Sequence, residues 1–131
     1  MLLIILIIYK NNFTRLLELN VILIKTILKQ LDIKTKIIFS SELKTTTTGS
    51  DRILEICKKL KATSYLSGIQ GPNYLKIDDF KTNNIELIIQ NFHHPTYNQL
   101  FNSFLPNLST IDLIFNEGLN ARDILDRSKN F

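Results

Sequence analysis

The 131-residue sequence contains one cysteine, Cys57, so no intrachain disulfide framework can hold it together. Its two histidines, His93 and His94, are adjacent, and no Cys/His cluster has zinc-ligand spacing. There is no Gly-x-Ser-x-Gly elbow, no His-Glu-x-x-His and no evident carboxylate pair, which removes the commonest hydrolase and metalloprotease signatures. The unbroken apolar run from Met1 to Ile8 is well short of the roughly 20 residues that span a bilayer. It also lacks a basic n-region and a small-residue cleavage site, so neither a membrane span nor a secretory leader is expected, and the expected compartment is the bacterial cytoplasm. Alanine and glycine are scarce while isoleucine, leucine, asparagine and lysine abound, a bias expected of an AT-rich genome and without functional content.

What is present fits one domain, or one half of a larger one, with 44% apolar and 21% charged residues. That apolar fraction is too high for a disordered chain. The net charge of +4 is unevenly distributed: residues 1–61 hold eleven Lys/Arg against five Asp/Glu, and residues 62–131 hold five against seven. A basic half suits an anionic partner such as a nucleotide or a phosphorylated sugar. Lys10, Lys25, Lys29, Lys58, Lys59 and Lys61 are spread out rather than clustered, so solvated helix faces are the plainer reading and nucleic acid is not an expected partner.

Hydrophobic spacing organises the rest. Met1 to Ile8 reads as a buried or edge strand, or as a non-native start, so residues 1–9 are set apart from 10–131. Phe13 to Leu31 reads as a helix, because Leu17, Val21, Ile24, Leu28 and Leu31 recur at spacings of three and four, with Leu16, Leu23 and Ile27 beside them and Asn12 or Thr14 as its cap. Lys36 to Ser40 reads as a strand, and Ser50 as the cap of a helix whose inner face carries Ile53, Leu54, Cys57 and Leu60. Two more strands are expected at 62–67 and 85–90. Further helices are expected at 74–80, 97–104, 109–115 (capped by Ser109) and 121–127. The order predicts an α/β fold with a small, mostly parallel three-stranded sheet, flanking helices and a helical C-terminus, as part of a larger α/β fold.

In open parallel sheets, ligands bind beyond the carboxyl ends of the strands. Those ends carry Ser40 and Ser41, then Ser67, Gly68 and Gly71, then His93, His94 and Tyr97. Gly68 and Gly71 either permit positive φ in a turn or bring amides close to a phosphate. A histidine here is a candidate general base near neutral pH. No motif names a cofactor or a metal.

Two segments carry a family resemblance. Tyr65-Leu66-Ser67-Gly68, Gly71 and Tyr74-Leu75 resemble the Tyr-x-Ser-Gly-x-x-Gly-x-x-Tyr-Leu segment of the WbqC-like protein family. His94-Pro95-x-Tyr97-x-Gln99, and the stretch from Phe104 and Pro106 through Ser109, Asp112, Phe115 and Asn116 to Gly118, resemble its closing signature. Lys36 to Leu43 and Asp51 to Ala62 are similar to its strand-then-helix pair, and the likeness runs over about residues 10–125. The family's Gln-Pro and Trp-x-Asn-Arg-like segments have no counterpart here, and there is no tryptophan, so the resemblance implies the C-terminal half only and a missing N-terminal half as a partner. It implies a role in O-antigen, lipopolysaccharide or other surface-polysaccharide biosynthesis, with group transfer on a nucleotide-linked sugar as the reaction if the chain is an active transferase. His94 and Tyr97 are then the catalytic candidates, and Ser40, Ser41, Ser67, Gly68, Gly71, Tyr74, Gln99, Asp112 and Asn116 the substrate-binding ones. The alternatives are a non-catalytic interaction module and an inactive truncated gene product.

Overall fold

The computed structural model describes residues 2–101 and 103–128, which form two compact units. One comprises the chain up to Thr35 together with His94–Ser128; the other is Lys36–His93.

In the first unit, helix α1 (Leu2–Lys10) leads into helix α2 (Leu16–Gln30). The apolar run is therefore helical and not a strand. A helix satisfies its backbone groups internally, whereas a strand here would need a neighbour. Asn11 closes α1: its side-chain amide donates to the Ile7 carbonyl at 2.8 Å and its backbone N–H to the Ile8 carbonyl at 3.1 Å. At α2 the N-cap is Arg15 with no side-chain cap, so neither Asn12 nor Thr14 serves. The described residues of 94–109 contain no regular element, against the helix expected at 97–104. Helices α5 (Thr110–Glu117) and α6 (Ala121–Arg127) follow, joined by a 3-10 turn at Gly118–Asn120. Ser109 caps α5 as its sequence position predicts, accepting the Ile111 N–H at 3.3 Å. Gly118 closes that helix at φ +56, a left-handed conformation that favours glycine. The core is Leu31, Tyr97, Leu113, Ile114 and Ala121, with Ile27, Phe104 and Leu125 packed against it. Arg122 donates to the Leu31 carbonyl at 3.1 Å, which ties the end of α2 to α6.

The second unit is a single β-α-β crossover with one helix in front. Helix α3 is Gly49–Lys59, strand β1 Ser64–Ser67, helix α4 Ile77–Thr82 and strand β2 Glu86–Ile89. The strands pair in parallel with Ser64 against Glu86 and Ser67 against Ile89. Among the described residues the sheet has two strands and not three. Residues 36–39 enter no ladder, and the chain turns into a 3-10 helix at Ser40–Leu43, so Ser40 and Ser41 sit in that turn and at no strand tip. Continuous apolar residues signalled burial there, yet Ile37 stays exposed and Ile38 and Phe39 are only half-buried. Leu54 and Cys57 of α3, Leu75, Phe80 of α4 and Ile85 form the core. Phe80 is fully buried and stacks on Tyr65 with ring centroids 5.7 Å apart. Burial pushes the Cys57 thiol above its ordinary range, as befits a small core residue rather than a nucleophile.

Ser50 does not cap α3, whose N-cap is Thr48. The Ser50 hydroxyl instead accepts the Lys76 N–H at 2.9 Å, and Asp51 pairs with the Lys76 ammonium at 2.9 Å, so both hold the entry to α4. The threonine-rich loop is fastened to α3 by Glu55. Its carboxylate accepts from the Thr47 hydroxyl at 2.6 Å and from the Thr46 and Thr47 amides at 3.1 and 3.2 Å, and Lys59 approaches it at 3.1 Å. Led by the Thr47 hydroxyl, these donors hold the Glu55 pKa down at about 2, against an ordinary 4.5. A depressed carboxylate adds stability above its unfolded pKa and loses it as pH falls through the folded one. Thermal melts from pH 6 to pH 2 are therefore expected to show a decline between about 4.5 and 2 that Glu55→Gln removes. Superimposable profiles for the two proteins would show that the clamp adds nothing.

Candidate functional site

The residues singled out in the sequence divide between the two units. Ser67, Gly68, Gly71 and Tyr74 share the turn that leaves β1. The parallel pairing sets the exits of β1 and β2 side by side, with the Gln90 N–H donating to the Ser67 carbonyl at 2.7 Å. Ser67 is buried, and its hydroxyl donates to the Gly68 carbonyl at 3.3 Å. Gly71 N–H donates to that same carbonyl at 2.9 Å, so this amide is spent inside the turn. Neither Gly68 nor Gly71 has positive φ, which rules out that reason for them. Gly71 is needed for space, since a Cβ there would run into the Ser67 hydroxyl and lie 3.1 Å from Leu75, whereas a Cβ at Gly68 would meet nothing within 4 Å. Gly71→Ala is thus expected to cost roughly 1–3 kcal/mol in a urea melt, as overpacking does, while Gly68→Ala stays within about 0.5 kcal/mol of the parent. Equal costs at the two positions would remove the steric account.

The second group lies in the other unit, and there the side chains converge. The Tyr97 hydroxyl donates to Asp112 Oδ2 at 2.8 Å, and Gln99 Nε2 reaches the same oxygen at 3.2 Å. Gln99 also replaces a backbone partner for Leu105: its Nε2 donates to the Leu105 carbonyl at 3.0 Å and its Oε1 accepts the Leu105 N–H at 2.8 Å. Asn98 N–H likewise donates to Glu117 Oε1 at 2.9 Å. Asn116 donates to the Asp112 carbonyl at 2.9 Å, a bond within α5.

An aromatic triad covers this polar knot. His94 lies 5.9 Å from both Tyr97 and Phe104, and the last two meet edge to face at 5.5 Å. His94 Nδ1 is 2.9 Å from the Pro95 carbonyl; a carbonyl only accepts, so Nδ1 is the donor in that contact. Burial, and then the bond to Asp112, hold the Tyr97 hydroxyl above its ordinary pKa, so it is a neutral donor at physiological pH. The site thus offers a phenol, a carboxylate, an amide and an imidazole against aromatic faces, groups suited to a polyhydroxylated ligand. Phe104 and Glu117 belong to it and were missed as site residues. Phe104 lay within the recognised signature, whereas nothing local marks Glu117. Among the described residues, no three His, Cys, Asp or Glu side chains gather as a metal ion requires. None of the described helices is long and apolar enough to cross a membrane.

Comparison with known proteins gives a family and one relative. The sequence profile of the WbqC-like protein family matches residues 2–124. The match begins at residue 2 and takes in the apolar N-terminal run, so a likeness confined to the C-terminal half is not supported. A protein of Mycobacterium tuberculosis, described as uncharacterized protein Rv1507c, is 29% identical over 119 residues, which cover 88% of this chain and 51% of the relative. The chain therefore spans about half the length of that relative. No solved structure matches.

Proposed function

The chain belongs to the WbqC-like protein family, and we propose that it serves surface-polysaccharide assembly by holding a nucleotide-linked or otherwise phosphorylated sugar on the segment from His94 to Asn116. The observation that carries this reading is the convergence of His94, Tyr97, Gln99 and Asp112, fixed by mutual hydrogen bonds under an aromatic triad. Sugars are recognised by a few well-placed polar groups beside aromatic faces. Group transfer is the reaction proposed for these residues: His94 takes the proton of the attacking group as the new bond forms, and the nucleotide phosphate leaves with the electron pair of the bond that breaks. Tyr97 and Asp112 orient the ligand.

Calorimetric titration with a panel of nucleotide-sugars tests the reading. At least one is expected to bind, and His94→Gln is expected to leave that binding within a few-fold while abolishing turnover. Failure of every nucleotide-sugar and sugar phosphate to bind either this chain or the longer mycobacterial relative would end it.

A second reading, a non-catalytic interaction module, draws on a different observation. Helices α1 and α2 leave large apolar side chains in solvent, among them Leu3 at 69% and Leu16 at 71% exposure.

A further inference from the structure

Helix α2 carries a seam that its own unit covers only in part. Leu17, Val21, Ile24, Leu28 and Leu31 are spaced four, three, four and three apart, the alternation by which one helix packs along another. The far end of this row is used internally, where Leu31 joins the core. Leu17 and Ile24 stand 57% and 51% exposed, and Val21 and Leu28 are half-buried. The flank of the seam carries Glu18 and Lys25, one heptad apart, exposed, and without an ion pair among the described residues.

We propose that this seam is a self-recognition surface, closed by α2 of a second copy of the chain running antiparallel. Setting Val21 of each copy against Ile24 of the other makes the next layer Leu17 against Leu28, and the two helices then overlap along nearly their full length. That register brings Glu18 of each copy beside Lys25 of the other, twice by symmetry, as a two-fold interface requires. A parallel pair would set Lys25 against Asn20 and form no such ion pair. The charge pattern therefore selects both the partner and its direction. The opposite flank carries Asn20, and Ile27, which packs on the unit's own core; neither presents a charge to oppose the pairing.

The test is sedimentation equilibrium of the full chain from about 1 to 500 μM, the range of small, reversible interfaces. The mass is expected to climb from 15.2 kDa toward twice that value. Glu18→Lys or Lys25→Glu alone should weaken the dimer about tenfold by setting like charges together, and the double reversal E18K/K25E should restore it, with circular dichroism unchanged throughout. The charge-reversal arm keeps the test apart from the sugar-binding reading, because neither residue belongs to the 94–118 site. A concentration-independent monomer, single reversals without effect, no recovery in the double variant, or association only with lipid vesicles would each overturn the proposal.

Discussion

Phe80→Ala is expected to destabilise the Lys36–His93 unit by about 3–5 kcal/mol, the range for emptying a fully enclosed aromatic site. Phe80 has no solvent exposure and fills the space between α3 and the sheet, touching the cluster of Leu54, Cys57, Leu75 and Ile85 and stacking on Tyr65. The surrounding elements are short: α4 has six residues and each strand four. So small a frame has little else with which to close a cavity. The loss is comparable to the whole stability of many domains of this size, so the unit should melt near room temperature. The absence of tryptophan leaves tyrosine emission unobscured, and Tyr65 reports directly on this core. Phe80→Leu, which keeps most of the volume, should cost clearly less. A Phe80→Ala protein that melts within about 1 kcal/mol of the parent would mean that the two strands are held by something other than this residue.

Asp112→Ala is expected to cost about 3 kcal/mol, the value of hydrogen bonds to a charged acceptor together with the penalty of a stranded buried donor. Tyr97 is buried, so its hydroxyl has no ready solvent to replace the carboxylate, and Gln99 loses the same oxygen. Asp112 also sits in the first turn of α5, where a negative charge is favoured by roughly 0.5 kcal/mol. Asp112→Asn keeps an acceptor and should lose about half as much. Tyr97→Phe and Asp112→Ala are expected to be non-additive, because each removes the same bond; a double-mutant cycle in urea should give a coupling of at least about 1 kcal/mol. Additive losses would show that the carboxylate does not organise the 94–109 segment.

The parts of the fold that follow from local chemistry were legible. Helix α6 occupies the residues its pattern indicates, Ser109 caps α5, and both strands that pair lie within the segments marked by their apolar residues. The misreadings share a cause: each depended on a partner that the sequence does not reveal. Residues 36–39 have the composition of a strand but no neighbour to bond with, and the N-terminal run, with no alternation, became a helix that bonds to itself. The 97–104 stretch was expected to be helical, but Gln99 instead bonds to the backbone of Leu105 and the Asn98 N–H to Glu117, partners that lie outside the stretch. Glu55 was invisible for the same reason, since its role rests on amides eight and nine residues away in a loop. At the site, the residues within one signature converge, as their proximity in sequence suggested, while Ser40 and Ser41 were attached to a strand that does not form.

The central proposal is that the segment from His94 to Asn116 holds a sugar phosphate. Amide chemical-shift mapping of the uniformly labelled chain, titrated with nucleotide-sugars, tests it most directly. The account predicts saturable shifts centred on His94, Tyr97, Gln99 and Asp112, lost in Asp112→Ala. Shifts confined to residues far from that segment, or none up to millimolar ligand, would contradict it.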